Sequence, residues 1–334
     1  MSLCVIFRFF LATLDIKSAY LQAGPMPRTI YVRTPKGWST SRHILWKLLK
    51  PAYGIVESGR LWQLQVEAWM AGEGINHVIG LPQLFIKYGE SGLPILIIAK
   101  VVDDMLIAGR KEEIKKFHDS ISRRFKVGRF LTEGTLVFNR LYIKQRPDRS
   151  IVASMQEYLD TIKPLEISRS RRKEQKEKCT EAEVKAFLGL TGALNYLGLG
   201  IIPQAAYVAS HLQQSVSRLT VAHLCIANKC LAEIKSMTPE LFYEAPIEFH
   251  NPSYLAFSDA SQGKTSYGQT GYVSGIYIPS KQDSASVFHM IDWLSQKQGR
   301  VSFSAIGAEI IAACLLYTSP SPRDLSTSRM PSSA

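Results

Sequence analysis

The chain of 334 residues is 46% hydrophobic and 20% charged, a globular composition long enough for one large or two medium domains with real cores. Its formal net charge of +12 favours a polyanionic partner, nucleic acid before a membrane surface, since no amphipathic basic helix stands out. No window reaches transmembrane length, no cysteine pair shows zinc-ligand spacing, and the five scattered cysteines (Cys4, Cys179, Cys225, Cys230, Cys314) read as reduced intracellular thiols.

In chain order, the apolar opening Met1–Leu14 carries Arg8 in its middle and lacks a basic leader and a cleavage site. It is therefore expected to be a buried segment leading into a core strand, and the protein is not expected to be secreted. Residues 1–110 alternate short apolar runs with turn residues, a mixed α/β pattern. A strand over Phe9–Leu14 ends at Asp15, and Pro94–Gly109 (PILIIAKVVDDMLIAG) reads as a β-hairpin with Asp103 and Asp104 at its tip. The segment KEEIKKFHDSISRRF predicts an amphipathic helix burying Ile114, Phe117, Ile121 and Phe125, followed by strands near Leu136–Lys144 and Ile151–Ser154. SRSRRKEQKEK over 168–178 holds no apolar residue and is a solvated linker or helix start, with nucleic-acid contact as the sharper alternative. Residues 180–240 read helical, opened by a Thr180/Glu183 capping box and buried along Val184, Phe187, Leu188 and Leu194. Strands return in YLAFSDAS, GYVSGIYI and VFHMIDWLS.

Adjacent acids on an apolar hairpin repel each other, and burying either alone is costly, so the Asp103–Asp104 pair calls for a cation. An isolated Asp-Asp is also ordinary turn chemistry. Asp15 tips the balance, because three carboxylates on two neighbouring strands can hold two divalent ions about 3.5–4 Å apart. Such a clamp serves in-line phosphoryl transfer, and magnesium suits an all-oxygen site.

The ordered motifs DIKSAYLQ, YVRTPKGW, LWKLLKPAYGIVESGRLW and VVDDMLIAG resemble the reverse transcriptase of copia-type retrotransposon polyproteins, followed by an RNase H domain. The resemblance implies an α+β fold: a right-hand polymerase palm and thumb with the fingers largely missing over 1–165, and a linker and helical connection over 166–250. A truncated RNase H-like α/β domain follows over 251–313. It implies an RNA-directed DNA polymerase adding deoxynucleotides to a primer, with Asp15, Asp103 and Asp104 as catalytic ligands of two Mg2+ ions, for which Mn2+ can substitute. Tyr20 would lie under the incoming sugar and exclude a 2′-hydroxyl, while Tyr53, Gly54 and Ser58 would line the nucleotide and template pocket. Lys17 is placed as a phosphate contact or a plain surface lysine. Implied partners are an RNA template, a DNA primer, the RNA–DNA hybrid, deoxynucleoside triphosphates and the remaining polyprotein with its protease and integrase. The implied setting is intracellular, in a cytoplasmic particle or the nucleus, without a membrane.

Several positions depart from the family pattern. Val101 replaces an aromatic residue before the Asp pair, Gly59 a proline after Ser58, Ile202-Pro203-Gln204 an Arg-Pro-Asp, and Gly307 a glutamate. These departures keep open the alternative of a catalytically dead or repurposed remnant that binds nucleic acid.

In the second domain, Asp259 and Glu309 match the first two acidic ligands of an RNase H-like site, and two carboxylates alone are not expected to support hydrolysis. The first strong motif begins at Asp15, so the start is expected to lack a fingers layer. Cys314–Ala334 (CLLYTSPSPRDLSTSRMPSSA) matches a translated transposase-based sequencing adapter and is expected to be non-native; without it the net charge is +11.

Overall fold

The structure divides at residue 139, inside the region 1–165 expected to form one domain, where Asn139 and Arg140 both take positive φ (46° and 63°) and redirect the backbone. The computed structural model describes residues 1–35, 37–38, 44–245, 252–261, 268–279, 286–302 and 304–318. Two units result, Phe9–Asn139 and Met1–Arg8 with Arg140–Ala334.

A short helix α1 (Ser2–Ile6) precedes the first unit, which contains β1 (Phe10–Ile16), α2 (Ala19–Gln22), β2 (Tyr31–Arg33), β3 (Leu45–Lys47), α3 (Ser58–Gly72), β4 (Asn76–Val78), β5 (Leu81–Tyr88), β6 (Pro94–Val101), β7 (Asp104–Gly109), α4 (Lys111–Arg124), β8 (Val127–Leu131) and β9 (Thr135–Phe138). Six strands form one antiparallel sheet in the order β4-β5-β6-β7-β1-β8. Period-2 alternation sends Leu96 and Ile98 of β6 and Met105 and Ile107 of β7 to one face. There they share a core with Trp62, Val66 and Met70 of α3 and Ile114, Phe117 and Ile121 of α4. Burying each such side chain contributes about 1.5–3 kcal/mol, so this layer fixes where the β6–β7 hairpin and β1 end. The predicted helix over 111–125 is present with its four apolar residues buried, Phe125 serving as C-cap. The strand expected across Leu136–Lys144 is instead two strands, broken by the positive-φ pair Asn139–Arg140.

The second unit continues with β10 (Leu141–Gln145), β11 (Ile151–Ser154), α5 (Gln156–Thr161), α6 (Glu181–Gly200), α7 (Pro203–Gln213), α8 (Val221–Lys235), β12 (Glu240–Tyr243), β13 (Ser253–Ser261), β14 (Gln269–Ile278), β15 (Val287–Lys297) and α9 (Ala305–Thr318). Strands β10, β11 and β12 pair antiparallel, as do β13, β14 and β15. The capping box forms: Glu183 N–H donates to Thr180 Oγ1 (3.3 Å) and Thr180 N–H to Glu183 Oε2 (2.8 Å). The buried stripe of α6 differs from the expected one. Phe187 and Leu194 are buried, but Leu188 is 46% exposed and Leu190, Thr191 and Leu197 complete the stripe. The charged run 168–178 is anchored by Arg171, which pairs with both Glu183 carboxylate oxygens (2.9 and 3.0 Å). Trp293 Nε1 donates to the Gly198 carbonyl (2.6 Å), fastening α6 to the β13–β15 sheet. Helix α9 runs through Thr318, across the start of the Cys314–Ala334 segment; residues 319–334 lie outside the described residues. Among the described residues no helix is long and apolar enough to cross a membrane.

Candidate active site

Asp15 and Asp104 are direct cross-strand partners in the β1–β7 ladder, and Asp103 precedes Asp104 in the β6–β7 turn. On its other side β1 meets β8 through a register shift between Leu14 and Ile16, which leaves Gly128 and Arg129 opposite Asp15. Such a bulge re-aims a side chain. A Cβ on Gly128 would run into Asp15 Oδ2 and stand 3.2 Å from the Asp15 backbone carbonyl oxygen, so the carboxylate occupies room that only glycine leaves.

The hairpin tip is strained. Val102 has φ 55°, and a β-branched residue in the left-handed region costs about 1–2 kcal/mol. Trp62 Nε1 donates to the Val102 carbonyl (2.7 Å), Lys100 Nζ approaches the same oxygen at 3.4 Å, and Ile16 N–H donates to the Asp103 carbonyl (3.1 Å). These bonds tie the tip to α3 and to β1.

Electrostatics set the site's demand. Burial, then the charge of Asp103, pushes the Asp15 carboxyl up, against the pull of Arg129 and Lys17. Burial, then Asp103 and Asp15, pushes Asp104 up, opposed by a backbone hydrogen bond from Asn139 and by Arg129. The raised Asp15 and Asp104 carboxyls beside the Asp103 charge favour a bound cation, and the all-oxygen donor set suits a hard divalent ion. Among the described residues, however, no group of three His, Cys, Asp or Glu side chains stands close enough together to hold a metal. The carboxylates share one corner of the sheet without closing into a cage.

Tyr20 follows Ser18, a left-handed residue (φ 49°) that opens α2, and its ring packs on Tyr53 with centroids 4.7 Å apart. Burial, then Asp103, Tyr20 and Asp15, raises the Tyr53 phenol, and the Tyr53 ring is exposed. Gly54 takes φ 90°, which only glycine adopts cheaply, turning the chain ahead of α3. Ser58 is buried, and its hydroxyl donates to the Ala52 carbonyl (2.7 Å), where it closes that turn. A Cβ on Gly59 would lie 3.9 Å from the Tyr20 hydroxyl, an ordinary contact. Lys17 is exposed, and Gln22 bridges the Lys17 carbonyl (2.5 Å) to Lys126. The structure thus gathers Asp15, Asp103, Asp104, Tyr20 and Tyr53 around one corner. Asp259 and Glu309, in the other unit, are both exposed, and Glu309 Oε1 accepts from Ala260 N–H (3.4 Å), beside Asp259 on β13.

Trp62, Lys100, Gly128 and Arg129 join the site without having been singled out from the sequence. A lysine inside the apolar run PILIIAKV was the visible signal for Lys100; Gly128 has none outside the bulge. A further signal lies between Ile16 and Val56, where seven Lys/Arg occur without one acid. Within it, Trp38 and Trp46 pack edge to face (5.4 Å), and Tyr31, Leu45 and Trp46 stand exposed on β2 and β3.

Residues 1–163 match the family model described as reverse transcriptase (RNA-dependent DNA polymerase). The chain is 27% identical over 153 residues to the retrovirus-related Pol polyprotein from transposon TNT 1-94 of Nicotiana tabacum, covering 45% of this chain and 11% of that protein. It is 25% and 26% identical to the Pol polyproteins from transposons RE1 and RE2 of Arabidopsis thaliana, each covering 89% of this chain and 20% of the relative. The chain therefore spans about a tenth to a fifth of the length of these relatives. The alignments to RE1 and RE2 cover 314 and 313 residues, so they extend past the family match at residue 163.

Proposed function

We propose, for a chain whose residues 1–163 belong to the reverse transcriptase family, that the Asp15–Asp103–Asp104 corner adds deoxynucleotides to a primer on an RNA template. The observation that carries this reading is the cross-strand pairing of Asp15 with Asp104 beside Asp103, with the Tyr20–Tyr53 pair against it. Asp15, Asp103 and Asp104 would hold Mg2+, or Mn2+ in its place. The chemistry such a pair of ions would supply there is neutralisation of triphosphate charge and activation of the primer 3′-hydroxyl. The protein's own part is orientation. The three carboxylates fix one end of the reacting groups, and Tyr20 presents a ring where the sugar of the incoming nucleotide would rest. In this reading the ring crowds a 2′-hydroxyl. The acid-free stretch 16–56, with its exposed aromatic rings and cations, supplies attraction and stacking for a nucleic-acid strand.

Asp259 and Glu309 would form part of a second two-metal site that cuts the RNA strand of a hybrid. Two exposed carboxylates are too few to fix both ions, so no RNase H activity is assigned to these residues alone. Protease, integrase and the rest of a polyprotein are partners by kinship with the much longer relatives.

A second reading is a nucleic-acid-binding remnant without catalysis. It is favoured by the absence, among the described residues, of three acids close enough to hold a metal. Extension of a labelled DNA primer on an RNA template, with Mg2+ and deoxynucleotides, separates the two. Extension that is lost in Asp103→Asn supports the polymerase. Template binding without extension in the wild-type chain supports the remnant, and extension that persists in Asp103→Asn overturns the assigned site.

A further inference from the structure

The tip that carries Asp103 and Asp104 is an unfavourable turn held from beneath. Val102 sits at φ 55°, a conformation a β-branched side chain adopts only under constraint. The constraint converges on one atom, the Val102 carbonyl oxygen. Trp62, 1% exposed on α3, donates its indole N–H to it at 2.7 Å. Lys100, also 1% exposed, reaches it from β6 at 3.4 Å while donating to Gln63 Oε1 at 2.5 Å. Gln63 in turn donates to Glu67 (2.6 Å), so one face of α3 presents an indole and an amide–carboxylate relay to the turn.

Lys100 is the anomaly that gives this arrangement its meaning. It occupies the same face of β6 as Leu96 and Ile98, opposite Met105, where an apolar side chain would fill the layer without desolvating a charge. Among the described residues its charge is compensated by Gln63, by the Val102 carbonyl and, at longer range, by Glu67 and Asp103. Its methylene stem fills the layer, but an apolar side chain would fill it without a buried charge. The lysine does place positive charge and a donor directly under the turn that carries two acids.

We propose that Trp62 and Lys100 are positioning residues for the polymerase site, clamping the Val102 carbonyl so that the strained turn holds Asp103 and Asp104 in place. Trp62 carries the larger share, because its hydrogen bond is the shorter. Lys100 supplements it with charge. The inference rests on the polymerase reading for its catalytic consequence, but the clamp itself is a property of the folded chain.

The test uses the full chain with Trp62→Phe, Lys100→Met, Val102→Asn and the Trp62→Phe/Val102→Asn double variant. Trp62→Phe keeps an aromatic ring and loses the N–H. Asn tolerates the left-handed region, so Val102→Asn removes the strain the clamp opposes. In primer extension, Trp62→Phe is expected to lower kcat by about 10–100-fold, raise the Mg2+ needed for half-maximal rate and leave the nucleotide KM nearly unchanged. Adding Val102→Asn should recover about tenfold of that loss, because a relaxed turn needs less holding. A tryptophan that merely filled the core would show no such recovery. Lys100→Met should lose less rate and melt no lower than wild type. Wild-type kcat and Mg2+ requirement in folded Trp62→Phe, or no recovery in the double variant, would overturn the proposal. Amide hydrogen exchange keeps the clamp testable if the wild-type chain extends no primer and the polymerase reading fails. Faster exchange at 103–105 in Trp62→Phe, or in Lys100→Met if the former does not fold, upholds the clamp, and unchanged exchange refutes it.

Discussion

Gly128→Ala separates the site from the scaffold. Gly128 does not take positive φ, so its backbone accepts alanine, and replacing glycine there stiffens the unfolded chain by about 0.4–1 kcal/mol in the variant's favour. The added Cβ, however, lands on Asp15 Oδ2 and 3.2 Å from the Asp15 carbonyl oxygen. The carboxylate must retreat by about 1 Å to recover an ordinary contact, into a less favoured rotamer costing about 0.5–1.5 kcal/mol. The two stability effects nearly cancel, leaving a net change within about 1 kcal/mol. Catalysis has no such compensation: displacing a reacting group by about 1 Å costs on the order of 100-fold, or about 2.7 kcal/mol at the transition state. The expected outcome is a variant that unfolds in urea close to the wild-type midpoint yet extends a primer about 100-fold more slowly. Gly59→Ala is the control, because its Cβ would find only the Tyr20 hydroxyl, 3.9 Å away, and should leave the rate nearly unchanged. A Gly128→Ala chain extending within about threefold of wild type would refute the placement of Asp15 in the site.

Asp103→Asn should stabilise the metal-free protein while abolishing extension. Burial and repulsion hold Asp15 and Asp104 above the ordinary carboxylate range, so the folded chain keeps protons that the unfolded chain releases. Stability therefore falls as pH rises from about 4 through the raised folded values, and the advantage of Asp103→Asn over wild type should widen over that rise. Urea titrations at a series of pH values check this; a gap that stays constant or narrows counts against the repulsion. Tyr20→Val should raise incorporation of ribonucleotides relative to deoxynucleotides by about tenfold, read from single-nucleotide extension with each substrate, and unchanged selectivity would remove Tyr20 from sugar discrimination. Thr180→Ala removes the α6 cap and should cost about 1 kcal/mol by chemical denaturation, without changing the extension rate.

Periodicity and turn chemistry carried most of the fold. The α4 helix, the Asp hairpin and the Thr180 capping box were each legible because a local rule dictates them: 3.6-residue spacing, two apolar runs flanking a polar tip, and reciprocal side-chain bonds. Leu188 failed because tertiary packing chose Leu190 and Leu197 instead, and periodicity cannot say which flank of a largely apolar helix faces the core. At the site, the acids were visible as residue types at strand ends. Gly128 was not, since its meaning arises only when a register shift sets it against Asp15, 113 positions away in the chain. Nothing in the sequence marks Trp62 as the partner of the Val102 carbonyl, 40 positions away in the chain.

The site and its support are stabilised by opposite means. Three mutually repelling acids, a left-handed valine, a bulge and a buried lysine all sit at one end of a sheet whose other parts follow the apolar rule. Each of these costs stability, and the apolar layer of Trp62, Val66, Met70, Ile98 and Met105 behind them offsets that cost. Removing a charge should therefore raise stability and lower activity, relaxing the turn should raise stability, and thinning the layer should lower both stability and activity.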